Sequence, residues 1–388
     1  MNEGLFQFLA QERIIWGTPA PQAVRREIDI LGARRALIVA STTMATRTNV
    51  VDDIKEALGE TAVGVFTGCR EHTPIDTVID CVTAVRNAQA DVIVTVGGGT
   101  PIDTVKAAIL CLAEEIQNAD ALKDYRVIVN DDGSRTAPAV GPSSIRQIIV
   151  PTTLSGAEFS SLAGVSDPAR GIKDGYFSRD SAGIAVILDS AVTVHTPEWL
   201  WLSTGIRAVD HAVETICSRS AQPLPDATAI HALKLFSSAL PRTKEAPYDL
   251  DARQQCQLAV WLAAFGLGRV EYGASHGIGH QLGAIGGVSH GHTSCVLLPS
   301  VLRWNAAVNA DQQETVSAAF ERCGDAAADV IEEFIALVGQ PGSLRDVGIK
   351  EGQLDVIAEG SLENMMVRSN PRPIIKASQI REILEMAW

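Results

Sequence analysis

Half of the histidines in this chain stand in one glycine-rich stretch of its second half, GASHGIGHQLGAIGGVSHGH. The chain has 8 histidines in all, and this stretch holds His276, His280, His290 and His292. A fifth, His211, lies upstream in STGIRAVDHAVE. Imidazole is the commonest metal ligand and the commonest proton carrier near neutral pH, and glycines let backbones approach closely. We therefore expect the chemistry of the protein in this stretch.

The spacing of these histidines indicates how they meet. His276 and His280 are four residues apart, so on a helix they share one face. His290 lies far enough along the chain to return to the same cleft, and His211 precedes them on another helix. Any one of them alone is most simply a buried histidine whose hydrogen bonds are satisfied. Together they favour a site.

A second feature is a run of three glycines in VTVGGGTPIDTVKA, which predicts a strand, a tight turn and a helix. The proline suits a first helical turn, and the free N–H groups of a helix start bind anions. The run is neither GxGxxG nor GxxxxGK[ST], so an ordinary turn explains it as well as a phosphate site does. The residues concerned are Gly97, Gly98, Gly99, Thr100 and Asp103.

Strand and helix signals alternate through the first half. A buried strand is predicted at RALIVAS, and further strands are predicted at VGVFTG, ADVIVTVGGG, RQIIVPTT and DSAGIAVILD, with a helix after each of the first three. Residues 125–144 are polar and predict a surface loop or a small hairpin, and beyond HTPEWL every signal is helical. We therefore predict an α/β domain with a parallel sheet over residues 1–195 and an all-helical domain over residues 196–388.

The strand RQIIVPTT runs into PTTLSGAE, which carries the hydroxyls of Thr152, Thr153 and Ser155. Loops at the carboxyl ends of parallel strands face one crevice. We therefore expect these hydroxyls to lie beside the glycine run.

Composition narrows the class of protein. A net charge of −14 disfavours nucleic acid and anionic membranes as partners, and 46% apolar residues are typical of a globular enzyme. Seven cysteines without a CxxC pair indicate reduced thiols, and the opening segment does not have the pattern of a signal peptide. These features predict a cytoplasmic protein that acts on a small molecule.

The motifs GGGTPIDTVKA, PTTLSGAE, STGxxAxxHAVE and HGIGHQLGAIGGVSHG, followed by LLPSVLRWN, resemble the iron-containing alcohol dehydrogenase superfamily. The ending NPRPIIKASQIREILEMAW and the early GARRALIV resemble its maleylacetate reductase branch. The resemblance implies a dinucleotide-binding α/β domain, an all-helical domain and a cleft between them, the architecture that dehydroquinate synthase shares. It also implies hydride transfer between NADH or NADPH and a carbonyl, and a homodimer.

The resemblance assigns roles residue by residue. It puts the phosphate loop on Gly97, Gly98, Gly99 and Asp103, and a second cofactor loop on Thr152, Thr153 and Ser155. It puts the histidine metal ligands on His211, His276 and His290, and the histidine beside the nicotinamide on His280. His292 has no fixed role in the pattern.

One departure from the family pattern concerns the metal. Metal-dependent members carry an acidic ligand four residues before the first histidine, and Arg207 stands there instead. A divalent ion about 4 Å from a guanidinium would be opposed by roughly 8 kcal/mol at an effective dielectric near 20. We therefore predict that no iron or zinc is held here and that Arg207 occupies or borders the vacated space. Asp210, one turn away, either pairs with Arg207 or substitutes as a ligand.

A second departure concerns the cofactor. NAD-selective members place an acidic residue after the strand that RALIVAS matches, where it binds the ribose 2′-hydroxyl. Ser41 stands there, so a 2′-phosphate is not repelled. We predict that NADPH is tolerated alongside NADH.

These features predict reduction of a carbonyl, such as that of the oxo-acid maleylacetate. Arg207, with the imidazoles of His211, His276 or His290, would stabilise the charge on oxygen or bind the substrate carboxylate. His280 would relay the proton. Equally open is a structural salt bridge from Arg207 to Asp210 or Glu214.

The residues also leave three other functions open. One is a metal-dependent alcohol dehydrogenase for small primary alcohols or aldehydes. The second is a lyase related to dehydroquinate synthase, and the third is a non-enzymatic nucleotide sensor. The histidine set argues against the sensor, which would not need it.

Overall fold

A computed structural model of the chain describes residues 5–130 and 135–388. It divides into two compact units, one over Gln7–Thr196 and one over Pro197–Trp388 to which Leu5 and Phe6 also belong. The break thus falls one residue after the boundary expected from the sequence. Residues 1–4 of the opening segment and 131–134 of the turn-rich segment lie outside the described residues.

The first unit is built on a six-stranded sheet. Its strands are β1 (Arg13–Trp16), β2 (Ala36–Ala40), β3 (Ala62–Phe66), β4 (Val92–Gly97), β7 (Arg146–Pro151) and β10 (Ala185–Leu188). Their order in the sheet is β1-β10-β7-β4-β2-β3, and every pairing is parallel. Two small antiparallel pairs stand apart from it: β5 (Ile128–Val129) with β6 (Arg135–Thr136), and β8 (Leu162–Asp167) with β9 (Ile172–Phe177). The predicted parallel sheet is confirmed.

Helices cover both faces of this sheet. They are α1 (Ala20–Leu31), α2 (Thr42–Arg47), α3 (Val50–Leu58), α4 (Ile75–Asn87), α5 (Gly99–Ala113), α6 (Ala119–Lys123) and α7 (Ser190–Thr193). Because side chains alternate along a strand, Ile38 packs into the core under α1 and α3, whereas Leu37 and Val39 pack into the core under α4 and α5. Burial on both faces explains why β2 reads as a continuous apolar run.

The second unit contains helices and no strand within residues 197–388, all of which the structure describes. They are α8 (Glu198–Ile216), α9 (Pro223–Glu245), α10 (Leu250–Ala263), α11 (Ala274–Gly286), α12 (His290–Ala319), α13 (Ala327–Leu337), α14 (Leu354–Ser361), α15 (Met365–Arg368) and α16 (Ala377–Met386). A core of α11, α12, α14 and α16 side chains includes Ile278, Leu297 and Ile357. Among the described residues, no helix has the length and apolarity that crossing a bilayer requires.

Candidate functional site

The three glycines form the turn between β4 and α5. Gly97 has φ of 147°, which L side chains rarely adopt, and an added Cβ would lie 2.6 Å from Cγ of Pro101. A Cβ on Gly98 would lie 2.8 Å from Cγ2 of Thr153. The turn is therefore closely packed against its neighbours and leaves its backbone N–H groups at the start of α5, where a helix binds anions.

The predicted cofactor loops meet at this turn. The N–H of Thr152 donates to the carbonyl oxygen of Gly97 over 3.0 Å, and the hydroxyls of Thr153 and Ser155 lie 3.2 Å apart. The N–H of Ser41 donates to the carbonyl oxygen of Val96. The structure thus brings Ser41, the glycines and the hydroxyl loop together at the carboxyl edge of the sheet.

Asp103 makes contacts that the sequence did not predict. Its Oδ1 lies 3.1 Å from Nζ of Lys106, a lysine whose side chain is only 1% exposed, and its Oδ2 accepts from the N–H of Gly164. Thr100 stands one residue into α5, where its carbonyl oxygen accepts from Thr104 Oγ1. Through these contacts, Asp103 and Lys106 link the first turns of α5, which follow the glycine turn, to β8.

The hydroxyl loop ends in a buried acid, Glu158. Its Oε2 has no hydrogen-bond partner in the part of the chain that the structure describes. Burial raises the pKa of this carboxyl to about 7, with Lys106 opposing the rise. Glu158 is therefore protonated in the folded protein under mildly acidic conditions, where the unfolded chain has already lost the proton.

We predict that Glu158→Gln makes the stability of the protein less dependent on pH. Between pH values of about 4.5 and about 7, the folded state holds a proton that the unfolded state releases. The free energy of unfolding of the wild type therefore falls, as pH rises, by up to about 1.4 kcal/mol per pH unit. Glutamine has no such proton. Thermal unfolding at pH 5, 6, 7 and 8 should show the melting temperature of the variant rising relative to that of the wild type as pH increases. A difference in melting temperature that stays constant over this range would contradict the burial argument.

In the second unit, α8 carries charged side chains although it is buried on nearly every side. One face of α8 carries four titratable side chains, at helical spacing: Arg207, Asp210, His211 and Glu214. His276 of α11 packs against this face. We call these five residues the buried charge cluster. Buried charges are tolerated only when they are paired and hydrogen-bonded, so each partner matters.

Asp210 holds Arg207. Oδ2 of Asp210 accepts hydrogen bonds from Ser275 Oγ at 2.8 Å and from Ser294 Oγ at 2.6 Å. Nη1 of Arg207 donates to Ser294 Oγ at 3.0 Å and lies 3.8 Å from Oδ2 of Asp210. The Arg207 side chain is 11% exposed, and the contacts with Ser294 and Asp210 hold its guanidinium.

Glu214 orients His276. Its Oε2 lies 2.6 Å from His276 Nδ1, and its Oε1 accepts from the N–H of Ser275. The ring of His276 stacks on that of His211 with centroids 5.0 Å apart, and Tyr272 contacts both rings. The sequence suggested Glu214 only as a partner of Arg207, although its i+3 spacing from His211 places it on the same face.

Burial sets the protonation of the cluster. It lowers the pKa of His211 and of His276 well below the usual value, with the neighbouring charge of Arg207 adding to both effects. It raises the pKa of Asp210, and it raises that of Glu214 to about 7. An arginine stays protonated even when burial lowers its pKa. The imidazoles are therefore neutral, and Arg207 carries the positive charge.

The other three histidines of the glycine-rich stretch lie outside the buried charge cluster. His280 of α11 and His290 at the start of α12 are exposed, and their ring centroids lie 6.4 Å apart. Nδ1 of His280 lies 3.2 Å from Nδ2 of Asn364, a residue that the sequence did not suggest. His292 packs beside Trp199, with ring centroids 5.9 Å apart. The histidines of the stretch therefore lie in three different surroundings: His276 in the buried charge cluster, His280 with His290, and His292 beside Trp199.

A bound cation would find some donors in the buried charge cluster. Within the described residues, Asp210, Glu214 and His276 are the one group of three whose potential ligand atoms all lie within 4.8 Å of one another. Three buried atoms of the cluster lack a hydrogen-bond partner in that part of the chain: Asp210 Oδ1, His211 Nδ1 and His276 Nε2.

Other observations oppose a metal. The resemblance puts an anionic ligand at position 207, but the residue there is the positively charged Arg207, which lies beside Asp210. In addition, the group of three contains neither His211 nor His290. The donor set therefore departs from the iron site that the resemblance implies.

Comparison with known proteins covers both units. The family described as "Iron-containing alcohol dehydrogenase" matches residues 11–190, and "Fe-containing alcohol dehydrogenase family, C-terminal" matches residues 201–388. "Dehydrogenase FUM7" of Gibberella moniliformis is 35% identical over 96% of this chain and 95% of its own length. "Maleylacetate reductase" of a Rhizobium species is 29% identical over 98% of this chain and 96% of its own length.

Solved structures of this family are similar to the chain over its whole length. The crystal structure of maleylacetate reductase from Agrobacterium tumefaciens is similar with a TM-score of 0.83 and 27% identity, over 100% of this chain and 99% of that chain. The relatives are named dehydrogenases and reductases, which favours an oxidoreductase over the lyase and the nucleotide sensor. The chain belongs to the iron-containing alcohol dehydrogenase family, in its maleylacetate reductase-like branch, and is an oxidoreductase that uses a nicotinamide cofactor.

Proposed function

We propose that the protein transfers hydride from NADH or NADPH to the carbonyl of a small oxo-acid without a catalytic metal. The observation that carries the proposal is Arg207, a charged guanidinium held by Ser294 and Asp210 where the family pattern has a metal ligand. A fixed positive charge of this kind can stabilise the negative charge that builds on the carbonyl oxygen.

The cofactor would lie on the glycine turn of the first unit. The N–H groups at the start of α5 would bind the pyrophosphate, with Thr152, Thr153 and Ser155 beside it. Ser41 offers a hydroxyl and no negative charge near the glycine turn, and its Oγ already accepts from the N–H of Met44. A 2′-phosphate would meet no repulsion from this residue, so we propose that both NADH and NADPH serve.

In the chemical step, hydride adds to the carbonyl carbon and the electron pair of the C=O bond moves to oxygen. Arg207 would stabilise that oxygen, with the imidazoles of His211, His276 or His290 as additional donors. Asp210 and the two serines would keep the guanidinium in place during the reaction. His280, which is exposed, is proposed as the relay that connects the product oxygen with solvent protons.

Arg207 also bears on the substrate class. A guanidinium binds a carboxylate through two parallel hydrogen bonds, which suits an oxo-acid. Relatives named maleylacetate reductase support this class, and maleylacetate is the member that we propose first.

A metal-dependent alcohol dehydrogenase is the second candidate. It is favoured by the three buried atoms without partners and by a relative named NAD-dependent methanol dehydrogenase. The homodimer and the cytoplasmic location expected from the sequence stay predictions.

A panel of substrates tests the proposal. The purified protein, with no metal added, is given NADH or NADPH together with maleylacetate, other oxo-acids, or neutral aldehydes of similar size, and cofactor oxidation is followed by absorbance. We expect turnover with both cofactors and a preference for acidic carbonyls. A preference for neutral aldehydes, or activity that requires added iron or zinc, would support the second candidate instead.

A further inference from the structure

Asn364 connects the short helix α15 with the histidine stretch. It is the N-cap residue of α15, and its Oδ1 accepts from the N–H of Met366 over 2.9 Å. Its Nδ2 lies 3.2 Å from Nδ1 of His280. One side chain thus makes a helix cap with its oxygen and a contact to the proposed relay histidine with its nitrogen.

These two contacts fix the direction of the hydrogen bond to the histidine. A backbone N–H can only donate, so the atom that it meets on Asn364 must be the amide oxygen. The other end of the side chain is then the NH₂ group, which donates and cannot accept. Nδ1 of His280 must therefore accept, which means that it carries no proton, and the proton of the neutral ring is on Nε2.

The fold brings these residues together through Gly277. A Cβ added to Gly277 would lie 2.8 Å from the backbone nitrogen of Val367 and 3.2 Å from Oδ1 of Asn364. Only a glycine lets α11 approach the start of α15 this closely. Since His280 follows Gly277 on the same helix, that approach also sets its distance from Asn364.

We propose that Asn364 is a positioning residue that holds His280 as the neutral Nε2–H tautomer, so that His280 acts by donating a hydrogen bond to the oxygen that gains charge. The inference rests on the proposed function and changes one part of it: His280 acts as a hydrogen-bond donor in place of the proton relay. Hydride adds to the carbonyl carbon, the electron pair moves to oxygen, and the alkoxide takes its proton from solvent water. The ring keeps its Nε2 proton throughout, because Nδ1 is occupied by the amide and cannot take up a replacement.

Asn364→Asp tests this with little change of shape. Aspartate caps helices as well as asparagine does, so α15 keeps its cap, but both of its oxygens accept. The hydrogen bond to His280 is then reversed, and the proton should move to Nδ1. Asn118→Asp is the matched control, since Asn118 also caps a short helix through its side-chain oxygen and lies in the first unit.

The readout is the nitrogen NMR spectrum of the full-length protein labelled with ¹⁵N-histidine, recorded at pH 8. The His280 signals are identified by their loss in His280→Gln. We expect an unprotonated Nδ1 and a protonated Nε2 in the wild type and in Asn118→Asp, and a protonated Nδ1 in Asn364→Asp. A protonated Nδ1 in the wild type would overturn the inference.

Turnover at the same pH completes the test. We expect Asn364→Asp to lower kcat by roughly tenfold with the KM for cofactor within about twofold, and Asn118→Asp to change neither. A moved proton with unchanged kcat would also overturn the inference. The spectrum decides the tautomer even if the wild type fails to reduce any carbonyl, a result that would count against the proposed function alone.

Discussion

Replacing Arg207 by alanine is expected to lower kcat/KM for an oxo-acid by roughly 10²–10³-fold while binding of NADH is retained. Removing a fixed donor that stabilises a developing oxyanion has an effect of this size. The cofactor contacts proposed on the glycine turn belong to the other unit and do not involve Arg207. Initial-rate assays with the oxo-acid and a fluorescence titration with NADH measure the two quantities.

A structural role for Arg207 must be separated from a chemical one. Alanine leaves Asp210 buried with only serine donors, and breaking a buried pair on one side destabilises a protein by about 3–5 kcal/mol. The double variant Arg207→Met with Asp210→Asn removes both charges and should recover most of the melting temperature. If Arg207 only stabilises the fold, turnover should return with the melting temperature; if it acts on the substrate, turnover stays low.

The substrate panel then distinguishes two chemical roles of Arg207. If the guanidinium stabilises the carbonyl oxygen, Arg207→Ala should lower turnover of acidic and neutral carbonyls alike. If it binds the substrate carboxylate, only the acidic ones should be affected. Equal turnover of wild type and variant on both classes would refute the proposal.

The sheet could be predicted because its central strands are buried on both faces. Short apolar runs such as those of β2 and β4 are typical of strands covered by helices on either side, and their alternation with amphipathic helices requires a parallel sheet. The edge strand β1 has four residues, and the β8–β9 hairpin mixes polar and apolar side chains, so neither gave a signal of that strength. Burial on both faces accounts for the central strands, although the apolar run of the partly exposed edge strand β3 was also sufficient to predict it.

The glycine turn and its neighbouring loops were predictable for a geometric reason. Parallel strands put their carboxyl ends at one edge, so Ser41, Gly98 and Thr153 had to lie close together. The histidines were harder. Helical spacing gives the angle between His276 and His280 about their axis, but it does not say that α8 covers the first and Asn364 contacts the second. That division depends on helix packing, which the sequence pattern does not encode.

The partners of the buried charge cluster show the same limit. Glu214 lies on the helix that carries Arg207, so its helical spacing was available to sequence reasoning. Ser275 and Ser294 come from α11 and α12, and a serine has no pattern that indicates a buried hydrogen bond to a distant aspartate. The assignment of His290 to the chemistry stays a prediction, since its measured neighbour is His280.

Protein purified without added metal is expected to hold iron and zinc far below one ion per chain, and a chelator is expected to leave turnover unchanged. The reason is electrostatic: a divalent ion about 4 Å from the guanidinium of Arg207 meets a repulsion of roughly 8 kcal/mol at an effective dielectric near 20. Elemental analysis and assays after dialysis against chelator measure both. Stoichiometric metal whose removal abolishes turnover would contradict the prediction.

Arg207→Asp carries the same argument further, because it reverses the charge at the position where metal-dependent relatives have an acidic ligand. The new carboxylate would stand one turn from His211, on the helix face of the buried charge cluster. Two atoms of that cluster, Asp210 Oδ1 and His276 Nε2, lack partners among the described residues. We expect this variant to bind about one Zn²⁺ or Fe²⁺ per chain. Arg207→Asn is the control: it removes the repulsion without adding a negative ligand, and should bind more weakly. If neither variant gains metal, the arginine is not what excludes the ion, and the packing of the buried charge cluster must do so instead.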